Sequence, residues 1–352
     1  MKSEPAWYIG GHLNILTEVS IIVPTKNRSS WCKRLVNYYS RNNFPGILIF
    51  CDSSNAQHFG DLQSHINKES RLKVIQLSLP RDSVHSALQV GIQTASIHTR
   101  FFAQSGDDDI YSIAGLARAA TFLSANSEYA CCIGKSVIAG YATFGDKVEQ
   151  KWLRKYGHPR SLTQSSPNER VFEITSKYYN LEFSLRRTDL GLHVIHSVND
   201  FLGTLPFKES TRAEYCSVIG IAYSGKVKVI SEPFLLRIDH ADRPNNIQLT
   251  SDELIALKTS QLEIGERFHL NLGNPEKLGH NEILKLNLHY EVLRQKIKRR
   301  EKQKTFLTSR ILVFLVRVGS LLIGNLSKIK FQRYYQQYMD EFQNNNKQGN
   351  FD

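Results

Sequence analysis

The chain is short of the patterns that usually announce a function. Its five cysteines, Cys32, Cys51, Cys131, Cys132 and Cys216, are odd in number, two are adjacent, and none belongs to a C-x-x-C pair. That argues against a disulfide framework and a zinc site of the usual spacing, and it fits a reducing, cytoplasmic compartment. After the first apolar run there is neither a G-x-G-x-x-G fingerprint nor a Walker lysine loop. A nicotinamide dehydrogenase and a P-loop enzyme are therefore disfavoured. Long apolar runs are missing too. The longest, Phe306 to Leu326, is interrupted by Arg310, Arg317 and Asn325 and makes a poor membrane span. Met1 to Gly11 has no apolar core with a basic flank, so no secretory leader is expected. No internal repeat is visible.

Acidic residues are the scarcer charge. Lys and Arg number 45 against 33 Asp and Glu, for a formal net charge of +12. The excess is uneven: from Ile255 onward there are 17 basic and 9 acidic residues. Basicity thus belongs mainly to the tail. With 41% hydrophobic and 22% charged residues in 352, the chain is globular and long enough for one large domain or two smaller ones.

Short apolar runs alternate with helical patterns along the first third. Val19 to Val23, Ile47 to Cys51, Leu72 to Leu77 and Phe101 to Gln104 read as buried strands. A helix is expected after the first, with Ser29 as its N-cap, and another over Asp82 to Ile97, with Val84, Leu88 and Ile92 on one face. A helix-like stretch begins near Ser112. This alternation predicts a doubly wound, mostly parallel α/β sheet. In such sheets ligands bind beyond the carboxyl ends of the strands. There the polar residues fall: Thr25, Lys26, Asn27 and Arg28, then Asp52, then Asp107-Asp108-Asp109. Farther on, Tyr129 to Ala139 reads as a strand and Tyr141 to Asn168 as an irregular excursion. Val227 to Ile230 and Phe234 to Leu236 read as short strands, and the chain turns helical after about Leu254.

The aspartate triplet carries the most chemical information. Carboxylates crowded at a strand end are costly unless a cation neutralises them. Oxygen ligands suit a hard ion, Mg2+ or Mn2+, and an ion there is placed to meet a diphosphate. A solvated acidic loop without function is the alternative.

Ser20-Ile21-Ile22-Val23-Pro24-Thr25-Lys26-Asn27-Arg28 resembles the opening of family-2-type glycosyltransferases with the GT-A fold. Gly106-Asp107-Asp108-Asp109 resembles their D-x-D metal motif, and Cys51-Asp52-Ser53-Ser54 the acidic end of their second strand. The resemblance covers roughly residues 17 to 240. It implies a domain over 17–250, after an N-terminal extension of 1–16 and before a helical, basic C-terminal region of 251–352. It also implies that Pro24, Thr25, Asn27 and Arg28 line the nucleotide and that Asp52 meets the base. Asp107 would lie near ribose and metal, and Asp109 would be the direct metal ligand. Asp108 is grouped with the nucleotide-sugar contacts, with a structural role as its alternative. Glu214, before Gly225-Lys226, is the implied general base, with Glu209 and Asp200 as alternatives. His240, after Arg237, is the implied third metal ligand, and Arg237 a neighbour of the phosphates. Arg170, Tyr178 and Arg186 are candidates for the acceptor side.

Arg294 to Lys304 holds seven basic residues opposed only by Glu301. Lys296, Gln303, Arg310, Arg317 and Gly324 recur every seven residues, a narrow polar stripe on an apolar helix. Such a helix suits an anionic membrane surface at the inner face. Packing on the catalytic domain or on a second subunit is the alternative, and no nucleic-acid partner is expected. The implied activity is metal-dependent transfer of a sugar from a nucleotide-diphosphate donor to a glycan or lipid-linked acceptor in surface polysaccharide synthesis. A nucleotidyltransferase and a non-catalytic glycan-binding relative are the rival readings.

Overall fold

The computed structural model describes residues 14–80, 83–144, 147–203, 210–239, 251–273 and 280–307. Glu209, His240 and the apolar tract beyond Leu307 lie outside them. Two compact units are distinguished, Met1–Ile247 with Glu263–His289, and Gln248–Leu262 with Tyr290–Asp352.

The first unit opens with β1 (Val19–Thr25), α1 (Ser29–Arg41), β2 (Ile47–Asp52), α2 (Ala56–Ile66), β3 (Lys73–Ser78), α3 (Val84–His98) and β4 (Phe101–Gln104). Their pairings are all parallel: β3 on β2, β2 on β1, and β1 on β4. β2 is buried along its whole length, and β1 is buried but for Pro24, as strands covered by helices on both faces must be. This is the expected doubly wound α/β arrangement. Leu88, Ile92 and Ala95 of α3 pack against Ile22, Ile49 and Phe102 on one face of the sheet.

The second half is more mixed. It comprises β5 (Ile110–Tyr111), α4 (Ile113–Ala125), β6 (Tyr129–Phe144), β7 (Lys147–Tyr156), α5 (Pro167–Ser176), β8 (Leu185–Arg187), α6 (Thr188–Gly203), α7 (Ser210–Ser224) and β9 (Lys226–Asp239). The sheet order is β3-β2-β1-β4-β8-β6-β9-β5, with β7 paired to β6 off this path. β6 runs parallel to β9, whereas β4–β8, β6–β8, β6–β7 and β5–β9 are antiparallel. Two helices follow, α8 (Ser251–Gly273) and α9 (His280–Leu307), and the basic run 294–304 falls on α9.

Several local expectations need correction. Residues 141–168 are only partly irregular: 141–144 finish β6, 147–156 form β7, 157–166 run without helix or strand, and 167–168 start α5. The two short strands near 227–236 are one strand, β9, whose pairing with β6 shifts register beside Lys135 and Pro233. Ser29 does not cap α1. It is the first helical residue, and its hydroxyl donates to Asp61 Oδ2 at 2.8 Å. Ser83 and Ser112 are the side-chain caps of α3 and α4, accepting from the Ser86 and Gly115 amides at 3.1 and 3.2 Å. All five cysteines are unpaired and buried.

The cap on α4 brings that helix tight against β9. The Ser112 amide donates to the Phe234 carbonyl at 2.9 Å. A Cβ on Gly115 would stand 2.3 Å from the Pro233 carbonyl oxygen, backbone that cannot step aside. Gly60, inside α2, has nothing within 4 Å of that position. Gly115→Ala is therefore expected to destabilise by about 2–3 kcal/mol through overpacking. Gly60→Ala should stabilise by about 0.5–1 kcal/mol through helix propensity. Urea unfolding of the two variants checks the opposite signs.

Candidate active site

The carboxyl ends of β1, β2 and β4 open on a cleft of about 350 Å³, a volume within the range of small-molecule sites. Thr25 stands opposite Asp52 in the β1–β2 register, so the loops after both strands leave the sheet together. Asn27 ties them. It sits in the left-handed region at φ 57, its amide donates to Ser54 Oγ at 2.7 Å, and its side-chain oxygen accepts from the Asn55 amide at 2.9 Å. Asn tolerates that backbone conformation better than most residues.

After β4 the chain makes a tight turn through the aspartates. The Ser105 amide donates to the Ile22 carbonyl, and the Ser105 hydroxyl to the Asp109 carbonyl at 3.1 Å. A Cβ on Gly106 would lie 2.8 Å from Asp108 Oδ1 and 3.2 Å from Asp109 Oδ2. A larger residue there would make the carboxyl groups shift.

All three carboxylates are buried, and two arginines neutralise them. Arg28 forks across the first two: Nη1 is 2.9 Å from Asp107 Oδ1 and Nη2 is 3.1 Å from Asp108 Oδ2. Thr25 donates to the other Asp107 oxygen at 2.9 Å. Burial nevertheless pushes the Asp107 carboxyl up to about 6, with Arg28 opposing the rise and Asp108 adding to it. Asp109, fully buried, accepts from Arg237 Nε at 3.0 Å and from the Ile238 amide at 3.3 Å. The antiparallel register explains this. Ile110 faces Leu236 across β5 and β9, which sets Asp109 opposite Arg237. Arg237 also donates to the Tyr156 hydroxyl at 2.6 Å and lies 4.6 and 4.4 Å from the ring centroids of Tyr156 and Phe183.

Pro24, Thr25, Arg28, Asp107, Asp108 and Asp109 thus line one cleft, joined by Lys26, Ser53, Phe183 and Arg237. Asn27 and Asp52 are not among its lining residues. Asp52 is buried and turned inward, accepting from the Ser54 amide and from Gln76 Nε2, each at 2.9 Å.

Among the described residues, no three His, Cys, Asp or Glu side chains converge as metal ligands. The donor set fits a hard cation in part. Asp107 and Asp108 face the cleft, and a cationic group, the Arg28 fork, already sits across them. Asp109 fits less well, because both its oxygens are engaged by Arg237 and the Ile238 amide.

Glu214 lies on α7 and accepts from the Tyr178 hydroxyl at 2.8 Å. Its carboxyl is pushed up, first by burial and then by the charge of Glu182, while Tyr178, Arg237 and His85 hold it down. Glu182 and His85 were not singled out from the sequence. Both are buried, with His85 Nε2 3.9 Å from Glu182 Oε1. Asp200 is exposed on α6. Of the acceptor-side candidates, only Tyr178 touches Glu214. Arg170 donates instead to the carbonyls of Gln164, Ser165, Ala222 and Tyr223. Arg186 is buried against the Phe102 ring and donates to Gln104 Oε1 at 3.1 Å.

No family model and no curated protein sequence matches the chain. Solved structures do resemble it. One is S. aureus TarS 1-349 in complex with UDP-GlcNAc: 16% identity, 75% of this chain and 77% of that chain, TM-score 0.44. Another is the mannosyltransferase PcManGT from Pyrobaculum calidifontis in complex with GDP-Man and Mn2+: 11% identity, 93% and 86% coverage, TM-score 0.45. At such identities and TM-scores these likenesses decide nothing about chemistry or substrate.

Asp107 yields a test of its strain. Its folded pKa of about 6 lies above the ordinary 3.8, so the native state binds its proton more tightly than the unfolded chain. The group costs no stability below pH 3.8, and the cost grows to its full size as pH rises past 6. Asp107→Asn is expected to stabilise the protein at pH 7.5 by about 1–3 kcal/mol. Urea unfolding at pH 7.5 and pH 4.5 should show this gain shrinking at the lower pH. A loss of stability at pH 7.5 would contradict the reading.

Proposed function

We propose that the chain is a metal-dependent glycosyltransferase of the GT-A type, moving a sugar from a nucleoside-diphosphate donor to a hydroxyl of a glycan or lipid-linked acceptor. One observation carries the reading: Thr25, Arg28, Asp107 and Asp108, from two separate strand ends, meet on one cleft with Lys26 and Arg237 beside them. Carboxylates and basic groups together suit a diphosphate accompanied by a cation, whereas a plain anion site would have no use for buried carboxylates.

Asp107 and Asp108 would hold Mn2+ or Mg2+, and Asp109 keeps Arg237 in place. The ion, when bound, stabilises the negative charge that grows on the departing diphosphate. Lys26, Arg28 and Arg237 add positive charge on the same side. Glu214 takes the acceptor's proton as that oxygen forms its bond to the anomeric carbon. The bond to the phosphate oxygen breaks on the opposite face, and its electron pair leaves with the nucleoside diphosphate, which inverts the anomeric centre. A carboxyl with a raised pKa is a stronger base once ionised, which suits this role. The basic run on α9 is read as the part that meets anionic lipid at the cytoplasmic membrane face, where lipid-linked acceptors of surface polysaccharide would be found.

Titration of the full chain with UDP, GDP and CDP, with and without Mn2+, tests the site. One nucleotide is expected to bind in an Mn2+-dependent way, and Asp108→Ala should abolish that dependence. Absence of nucleotide binding under every condition would overturn the reading in favour of a glycan-binding role. Glu214→Gln is expected to lower kcat by about 10²–10⁴-fold with nucleotide affinity unchanged. The pH profile offers a finer check. Glu182 raises the Glu214 pKa, so Glu182→Gln should move the acid limb of kcat to lower pH. An unmoved limb would remove Glu214 as the base.

A further inference from the structure

Arg28 and Arg237 both pair with the aspartate triplet, but they are held in different ways. Arg237 is fixed on every side: Asp109 and the Tyr156 hydroxyl take its N–H groups, and the Tyr156 and Phe183 rings flank its plane. Arg28 is more exposed, at 23% of its side chain against 17%. Its ring contact is looser, with Trp31 at 5.5 Å to the centroid. It stands at the N-cap position of α1, directly after the left-handed Asn27, whose amide pins the loop to Ser54.

The oxygens that Arg28 holds are the ones a cation needs. Asp109 is engaged by Arg237 and the Ile238 amide, whereas Asp107 and Asp108 share a cationic partner in the Arg28 fork. An ion at metal–oxygen distance from that pair and a guanidinium at 2.9 and 3.1 Å from it are two cations in one place. A guanidinium fork matches phosphate as well as carboxylate. Arg28 lines the same cleft in which the diphosphate is proposed to sit.

We propose that Arg28 competes with the divalent cation for Asp107 and Asp108, and that the site loads by exchange: the guanidinium leaves the carboxylates for the donor's diphosphate as the cation takes its place. The proposal rests on the glycosyltransferase reading above. Arg28 is then a positioning residue that couples the two ligands. Cation alone binds weakly, because it must displace Arg28 into solvent. Nucleotide gives Arg28 a new partner and so strengthens cation binding, and the reverse holds by linkage.

Calorimetric titration of the full chain with Mn2+ alone at pH 8 tests this directly, since Asp107 is ionised there. Arg28→Gln is expected to bind Mn2+ about tenfold tighter than wild type. The factor by which UDP, GDP or CDP improves Mn2+ affinity should fall towards one in the same variant. Arg28→Lys, which keeps the charge but not the fork, should fall between the two and carries the test should the Gln variant fold poorly. Mn2+ affinity that is unchanged or weaker in both variants would overturn the exchange. Should wild type bind a nucleotide with Mn2+ while Arg28→Gln shows no gain for Mn2+ alone, the exchange fails and the glycosyltransferase reading stands. Should wild type bind no nucleotide at all, both fail.

Discussion

Asp109 and Arg237 form a buried ion pair between the chain after β4 and the far end of β9, and the geometry of the cleft follows from it. Both partners are largely out of water, where removing either would leave an uncompensated charge at a cost of about 3–5 kcal/mol. The pair closes a link that backbone pairing begins, since the two-residue strand β5 alone gives little area to hold the turn. With Asp109 held by Arg237, Asp107 and Asp108 are the two that Arg28 reaches. Gly106 permits this crowding by having no Cβ to collide with the carboxylates. The parallel half of the sheet supplies the Thr25 and Arg28 side of the cleft and the mixed half supplies Arg237 and Phe183. The ion pair is therefore what joins the two halves at the site.

The first half of this architecture was legible because its signal is local. β1, β2 and β4 are short apolar runs ended by polar residues, and parallel strands covered on both faces leave that trace in any window of six or seven residues. The same logic placed Thr25, Arg28 and the triplet at one edge. What escaped depends on register between distant strands. β5 is too short to show a period, and only its pairing of Ile110 with Leu236 reveals that Asp109 meets Arg237. The contacts of Asp109 with that arginine and with the Ile238 amide could not be read from the triplet alone. Asp52 was placed correctly at its strand end, but the direction of its side chain is set by Gln76 on the neighbouring strand. Glu182 and His85 lie far apart in sequence, on a loop and a helix turn, and no spacing rule joins them.

The premise that crowded carboxylates demand a cation holds, but the cations in place are side chains. This changes what the triplet can do. Three equivalent ligands would make a closed metal site of high intrinsic affinity. Here one carboxylate is paired with Arg237 and the other two share Arg28, so the three are not equivalent. The raised pKa of Asp107 shows that Arg28 does not fully offset the burial of the pair. Functional sites commonly keep such uncompensated cost, because a fully satisfied network has no reason to take up a ligand.

A related economy governs the carboxyl groups around Glu214. Glu214 is buried beside a second carboxylate, Glu182, and like charges out of water cannot both ionise at the ordinary pKa. Arg237 and His85 act on the same group in the opposite sense. Arg237 therefore faces two ways: it donates a hydrogen bond to Asp109 and lowers the Glu214 pKa through space. Movement of that guanidinium would alter the surroundings of Asp109 and Glu214 together. This gives a physical reason for its enclosure by Tyr156 and Phe183, whereas Arg28 pairs with Asp107 and Asp108 among the three aspartates and is the more exposed of the two.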